Sequence, residues 1–269
     1  DGSHDLTFNY SPIQSGDYIN TIALQSDGKI LAGGRFGNGV VRVNQDGSGD
    51  SNFSYPLSLS YPGMEARIIK VLPNDKFLVG KSDASIDGYY SNTSNGSLMK
   101  FNSNGSLDYT FSSLIYNGGV NDISIDENGK IVVGGNFTTV SNSNYNKLIR
   151  LNSNGTKDTS FVIGTGFGSQ NYQEVNSIEI QSGGRILVGG AFADYNGELS
   201  QCLTALNPDG TKNTQFNIGN GFNGIIQSLL TQQDGKILVG GGFSNYNNYV
   251  VGCLVRLIGG GFYNLSGQN

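Results

Sequence analysis

Residues Ile178–Phe192 read I-E-I-Q-S-G-G-R-I-L-V-G-G-A-F, and this stretch decides the fold. Two β-rich runs, 178–180 and 185–188, flank the pair Gly183-Gly184. Such runs joined by Gly-Gly, Asp-Gly or Asn-Gly predict a β-hairpin whose two-residue turn takes positive φ at both positions. Glycine adopts that conformation without a Cβ clash. The pattern returns at Ile22–Phe36, Ile123–Phe137 and Ser228–Phe243, and in a degenerate form at Ile69–Lys81. With Gly28, Asp75, Gly129, Gly184 and Gly235 taken as equivalent, the steps are 47, 54, 55 and 51 residues. Asn74-Asp75 makes the poorest turn of the set, so the second unit is expected to be the least regular.

A second signature sits inside each step. It reads R-V-N-Q-D-G-S-G-D-S-N-F at Arg42–Phe53 and K-F-N-S-N-G-S-L-D-Y-T-F at Lys100–Phe111. It recurs at Arg150–Phe161 and Ala205–Phe216. Leu148–Asn152 and Thr156–Phe161 around Asn154-Gly155 predict a second hairpin. Two hairpins per unit make a four-stranded antiparallel sheet, and no stretch keeps a helical period beyond a turn. One such sheet cannot bury both faces alone, whereas stacked neighbours can. Radial repetition also hides sheet edges, which predicts an all-β, five-bladed β-propeller of four-stranded antiparallel blades.

Together with F-x-I-G-x-G-F at Phe161–Phe167 and Phe216–Phe222, the two signatures resemble the delta-60 repeat family. The resemblance covers all five units and departs at 72–82 and after Leu257. It implies a propeller-forming repeat of bacterial surface or secreted proteins and phage virion proteins, with no general catalytic residue set.

The ends fit one domain over 1–269. Asp1–Phe8 matches the D-G-x-x-D-x-x-F half of the second signature, and residues 258–269 diverge from the repeat. The expectation is that 1–8 completes the last blade and closes the ring; a slice of a longer propeller is the alternative. Asp1 follows no Met and no charged-then-apolar leader, which leaves the original start and the redox compartment open.

Composition narrows the function classes. Lys+Arg number 16 against Asp+Glu 21, a net charge of −5, which argues against a nucleic-acid groove. No run of 18 apolar residues is present to span a membrane as a helix. His4 is the only histidine, so neither a Ser-His-Asp triad nor a His-based metal site can be built. Glu65, Asp83, Asp87, Glu174 and Asp194 are carboxylates without a recognisable pairing, and read best as solvated acids. The Gly164–Gly168 and Gly219–Gly221 stretches lack the helix a phosphate loop needs, and read as connections between units. Asn44-x-Asp46-Gly47-x-x-Asp50 lacks the bidentate Glu of a calcium loop, and reads as a turn with Asx-type bonds. Cys202 and Cys253 occupy equivalent positions in adjacent units and are expected to be buried free thiols.

The loops after the second strand vary most. Tyr89, Tyr90, Tyr145, Asn146, Tyr195, Asn196, Tyr246 and Tyr249 are the candidate ligand-binding residues, because Tyr rings stack and Asn amides pair with hydroxyls. Packing is the competing reading. The expected core is Ile22, Leu24, Ile30, Leu31, Ile123, Ile125, Ile131, Val133, Ile178, Ile180, Ile186, Val188, Leu229, Ile237 and Val239. Phe8, Phe53, Phe111, Phe161 and Phe216 are expected to anchor the outer strands.

These readings lead to a non-catalytic interaction module of a phage virion, in a tail or receptor-binding assembly, or of a bacterial surface protein. The expected location is a virion or cell surface, with other virion or surface proteins as partners and no cofactor, nucleic acid or membrane insertion. A lectin-like propeller binding glycan is the alternative. A glycan-cleaving enzyme is the third reading and would need a carboxylate pair within about 5 to 9.5 Å.

Overall fold

The computed structural model describes residues 2–10, 17–37, 39–55, 64–83, 96–168 and 173–258. Every regular element among them is a β-strand. The first repeat contributes β1 (Tyr18–Leu24), β2 (Ile30–Arg35) and β3 (Val40–Val43). The second contributes β4 (Met64–Val71), β5 (Phe77–Asp83) and β6 (Gly96–Phe101), followed by the short β7 (Ile115–Tyr116). The third holds β8 (Val120–Ile125), β9 (Ile131–Gly135), β10 (Thr139–Val140), β11 (Ser143–Asn144) and β12 (Leu148–Leu151). The fourth holds β13 (Glu174–Ile180), β14 (Ile186–Ala191), β15 (Asp194–Tyr195), β16 (Glu198–Leu199) and β17 (Leu203–Leu206). The fifth holds β18 (Ile225–Thr231), β19 (Ile237–Gly242), β20 (Asn245–Tyr246), β21 (Tyr249–Val250) and β22 (Leu254–Leu257).

The chain packs as two compact units. The first comprises residues 1–123, 137–144 and 153–156. It contains the antiparallel sheet β1-β2-β3 and a six-stranded sheet ordered β11-β10-β7-β6-β5-β4. Its core centres on Phe77 stacked on Phe101, with ring centroids 5.2 Å apart, and gathers Leu31, Ala66, Ile69 and Val79. The second unit comprises 124–136, 145–152 and 157–269. It contains β13-β14-β17 and β18-β19-β22, each with a two-stranded flap, β15-β16 and β20-β21.

The repeat sheets in the first, fourth and fifth repeats have three strands, which corrects the four-stranded expectation. The would-be fourth strand makes one bridge, for example Leu151↔Lys157 or Leu206↔Lys212. It then curls into a turn, with Asp158 N donating to Arg150 O at 3.0 Å and Phe161 N to Asp158 O at 3.3 Å. From there the chain crosses to the next repeat, where Val162 N donates to Asp209 O at 2.8 Å. Ser54 N reaches Asn104 O and Ser112 N reaches Asn154 O in the same way.

Pairing of the N-terminal segment with the last sheet, expected from the sequence, is absent from the strand pairs among the described residues. Asn9 N donates to Asp46 O at 2.8 Å, the equivalent of Ser54 N to Asn104 O, so the segment before the first repeat docks on it as each second signature docks on the repeat that follows. Among the described residues the fifth sheet is β18-β19-β22 alone.

Hairpin turns need less than the sequence suggested. In the Asp27-Gly28 and Asn128-Gly129 turns only the glycine has positive φ, +81° and +74°. In the second repeat Asn74 and Asp75 adopt φ of +80° and +58° without glycine. Its strands β4 and β5 are long, eight and seven residues, while its sheet differs from the three-stranded ones in extending to six strands. Asp75 also braces its neighbour, its carboxylate accepting from Ser26 N at 2.7 Å and from the Ser26 hydroxyl.

Successive repeats meet through a small joint. Each socket is the first Gly of the Gly-Gly type motif on the second strand, and the next repeat's first strand supplies the plug. A Cβ placed on Gly33 would lie 2.9 Å from Ile69 Cδ1 and 3.1 Å from Ala66 Cβ. On Gly134 it would meet Val175 at 2.4 Å and Ile178 at 2.8 Å, and on Gly189 it would meet Ile226 at 2.6 Å. Only glycine lets the branched side chains approach this closely. β-Bulges in β1, β4, β13 and β18 interrupt the register, and those in β1 and β13 aim an asparagine across the joint. Asn20 Nδ2 thus donates to Ala66 O at 3.2 Å, and Asn176 Nδ2 to Ile226 O at 3.2 Å.

These joints decide the core. Leu31, Ile123, Ile131, Val133, Ile178, Ile186, Val188, Leu229, Ile237 and Val239 are buried as expected. Ile30, Ile125 and Ile180 are half-buried. Ile22 and Leu24 are 71% and 66% exposed, a correction with a physical cause: among the described residues no repeat packs on the outer face of β1. Phe111 and Phe161 are buried, Phe53 and Phe216 half-buried, and Phe8 exposed. Cys253 is exposed and Cys202 half-buried, so neither is the fully buried thiol expected; both are free.

Candidate functional site

The second signature builds a buried ion clamp. Asp50 Oδ2 receives Arg42 Nε at 2.8 Å and Lys29 Nζ at 3.0 Å. Asp158 Oδ2 receives Arg150 Nε at 2.7 Å and Lys130 Nζ at 2.6 Å. Asp108 keeps one partner, Lys76 Nζ at 3.0 Å. The other carboxylate oxygen makes the Asx-type bond read from the sequence, as with Ser160 N to Asp158 Oδ1 at 3.0 Å. Each arginine also reaches forward, Arg42 to Ser103 O and Arg150 to Pro208 O. The acids of this signature are therefore occupied by structure.

The fourth repeat abandons the clamp. Ala205 stands where the others have Arg42, Lys100 and Arg150, and Asn213 where they have Asp50, Asp108 and Asp158. Thr204, 3% exposed, replaces Val41, Met99 and Ile149. Two adjoining hollows open beside these changes. One, of about 320 Å³, is bordered by Tyr195, Asn196, Gly210 and Thr211. The other, of about 220 Å³, is bordered by Ser200, Thr204, Asn213 and Phe216. Glu198, Lys212 and Thr214 line both. Lys212 Nζ lies 3.3 Å from Glu198 Oε2 and donates to Leu199 O at 2.8 Å. The Glu198 side chain is 64% exposed, so that pair is open to exchange.

The predicted ligand residues distribute differently. Tyr89 and Tyr90 lie outside the described residues, as does Asp87. Tyr195 is buried at 1% exposure, with its ring 4.8 Å from Phe167 and its hydroxyl donating to Gly210 O. That burial pushes the hydroxyl pKa up, with the Asp209 charge adding to it. Stacking on a ligand is thus corrected to packing for Tyr195, because the connection 161–167 covers its ring. Asn196 adopts φ +53° and its Oδ1 accepts from Thr165 N at 3.1 Å, locking the Gly164–Gly166 turn. Asn146 Nδ2 donates to Thr165 O at 2.7 Å from the other side. Asn247 repeats the lock for the fifth repeat, accepting from Asn220 N at 3.1 Å. Tyr145 is half-buried under Lys157, whose Nζ is 4.7 Å from the ring centroid. Tyr246 is half-buried against Phe222 at 4.6 Å, and Tyr249 is 72% exposed. Glu65 is buried and takes Asn20 Nδ2 at 2.6 Å and the Tyr18 hydroxyl at 3.1 Å.

Sequence reasoning missed Glu198, Lys212, Thr204 and Asn213. The available signal was the fourth repeat's loss of Arg and Asp from its second signature.

A family profile described as a domain of unknown function, DUF5122, beta-propeller matches residues 25–53, 86–111, 127–161, 181–216 and 232–261, more than half of the chain. The chain belongs to the DUF5122 beta-propeller family. No protein of curated function matches it. This DUF5122 chain is similar in fold to a calcium-binding regucalcin from Agrobacterium tumefaciens, with 14% identity and a TM-score of 0.52, over 84% of this chain and 68% of that one. It is also similar to a gluconolactonase from Xanthomonas campestris, at 11% identity and 0.48, over 83% and 69%. A third is PorZ, a surface component of the type-IX secretion system of Porphyromonas gingivalis, at 14% and 0.50, over 88% of this chain and 33% of that one.

These matches correct the expected function. The likeness to regucalcin, in fold alone, is to a calcium-binding protein and not to a virion protein, so the non-catalytic virion module expected from the delta-60 resemblance is withdrawn. Lack of a triad does not make a propeller non-enzymatic, since function resides in sites grafted on a fold.

Proposed function

We propose that this chain is a ligand-binding β-propeller of delta-60-type repeats, each repeat one blade, and that the paired hollows of the fourth repeat take a small hydroxylated carboxylate. The observation that carries the proposal is Lys212 at the wall shared by both hollows, in the one repeat whose clamp residues are changed to Ala205 and Asn213. A ligand carboxylate would displace the exposed Glu198 from Lys212 and form a charge-assisted bond. Ser200, Thr204, Thr211, Asn213 and Thr214 offer hydroxyl and amide groups for ligand hydroxyls. Regucalcin is named for calcium, but among the described residues no group of three His, Cys, Asp or Glu side chains is placed to hold an ion. An exterior, cell-surface setting goes with this reading and is supported by the family resemblance.

Calorimetric titration of the full chain with gluconate tests it. Binding that disappears in Lys212→Ala and persists in Lys212→Arg is expected. No heat from the folded wild type, or equal affinity in Lys212→Ala, would overturn the reading.

A further inference from the structure

The fourth repeat buries a hydroxyl where the other repeats carry hydrocarbon. Thr204 pairs with Val188 across its sheet, in the register that pairs Val41 with Ala32, Met99 with Val79, Ile149 with Val133 and Val255 with Val239. Thr204 is 3% exposed, and among the described residues its hydroxyl has no hydrogen-bond partner. A buried hydroxyl without a partner costs stability, and the equivalent valines and isoleucine fit this place without that cost. What distinguishes Thr204 is its position on the wall of the smaller hollow.

Neighbouring polar groups are already committed. In the smaller hollow Ser200, 1% exposed, donates its hydroxyl to Glu198 O at 3.1 Å. Asn213 Nδ2 donates to Asn207 Oδ1 at 2.9 Å, and Asn213 Oδ1 accepts from Gln215 N at 3.1 Å. In the larger hollow the Tyr195 hydroxyl donates to Gly210 O and the Thr211 hydroxyl to Asp209 Oδ1. Thr214, shared by both, is exposed and keeps its water. Among the described residues on these walls, Thr204 is the buried donor with no bond to give up.

We infer that Thr204 is a specificity-determining residue of this site: the ligand lays its carboxylate on Lys212 and sends a hydroxyl into the smaller hollow, onto Thr204. The inference rests on the reading of the hollows given above and adds which of them takes the hydroxylated end. Lys212 borders both, so a carboxylate held there leaves the rest of the ligand free to enter either. The larger hollow offers Val162, Ile163 and the committed Tyr195, whereas the smaller offers an uncommitted hydroxyl. A ligand hydroxyl satisfies Thr204, and a chain of the same length without hydroxyls leaves it unpaired. The site therefore discriminates by hydroxylation rather than by charge or length.

Calorimetric titrations of the full chain with gluconate and with hexanoate, which has the same carbon chain and no hydroxyls, test the inference. Thr204→Val is expected to weaken gluconate binding about tenfold and to leave hexanoate unchanged. It is also expected to melt no lower than the wild type, since the first repeat carries valine at this place. Thr204→Ala, which adds no atom, should show the same split between the two ligands, and Thr204→Ser should retain gluconate. Equal losses for gluconate and hexanoate would mark a structural effect and overturn the inference, as would unchanged gluconate affinity in Thr204→Val. In both cases gluconate binding that still disappears in Lys212→Ala leaves the reading of the hollows standing. A wild type that binds the two ligands equally overturns this inference alone, and one that binds neither overturns both.

Discussion

Arg150 Nε donates to Asp158 Oδ2 at 2.7 Å with both side chains buried, and Lys130 Nζ meets the same oxygen at 2.6 Å. Removing one member of such a pair strands a buried charge, which costs far more than losing an exposed contact. Asp158→Ala is therefore expected to lower unfolding free energy by about 3 kcal/mol in urea titration. Asp108→Ala should cost less, about 1 kcal/mol, because Lys76 is a third exposed and regains water. Equal losses would show that the second cation adds nothing.

The same carboxylates set an acid limit. Hydrogen bonds from the Thr110 hydroxyl and then Lys76 outweigh burial at Asp108 and hold its pKa at about 2. At Asp158 burial opposes ionisation, yet the bonds from Lys130, Ser160 and Arg150 hold it well below the usual carboxylate range. Folded-state values lie below the unfolded value of about 3.9, so the contribution is complete above that pH and is lost as pH falls through the folded values. Thermal stability is expected to decline from about pH 4 toward pH 2, and Asp108→Asn should flatten part of that slope. A profile unchanged by Asp108→Asn would remove this residue from the acid response.

Glycine substitution separates filled from empty sockets. Gly189→Val puts methyl groups where Ile226 already sits and is expected to cost about 1 to 3 kcal/mol or more. Gly240→Val meets no comparable neighbour among the described residues and should unfold near the wild-type midpoint. Chemical denaturation of both, side by side, checks the contrast.

The tyrosine and asparagine of the fourth-repeat loop should report on folding. Tyr195→Phe loses the bond to Gly210 O and is expected to cost about 1 kcal/mol. Asn196→Ala should be worse than Asn196→Gly, since both lose the contact to Thr165 but only glycine accepts φ of +53° freely. Thermal melts of the three variants give the order.

The repeat was legible because Gly28, Gly129, Gly184 and Gly235 punctuate strand-forming runs at near-constant spacing, and local turn chemistry is written in adjacent residues. The third-strand limit was not legible. It depends on Asp158 curling the chain back toward Arg150, and these residues lie far in sequence from Lys130, which completes the clamp. Exposure of Ile22 was equally hidden, since its counterpart Ile178 has the same character and differs only in having a neighbour. At the site, tyrosines drew attention by type, whereas Lys212 was marked by what the surrounding repeat had lost.

The joint at Gly33, Gly80, Gly134 and Gly189 has a consequence for how such genes change. Every seam is made of the same kind of plug and the same glycine, so an in-frame duplication or deletion of one whole unit leaves seams of unaltered composition. Unequal crossing-over between repeats would thus yield proteins of varied length in which no contact had to be reinvented. Substitutions could then gather in a single unit, such as the one that holds Ala205 and Asn213, while its neighbours kept the wall standing.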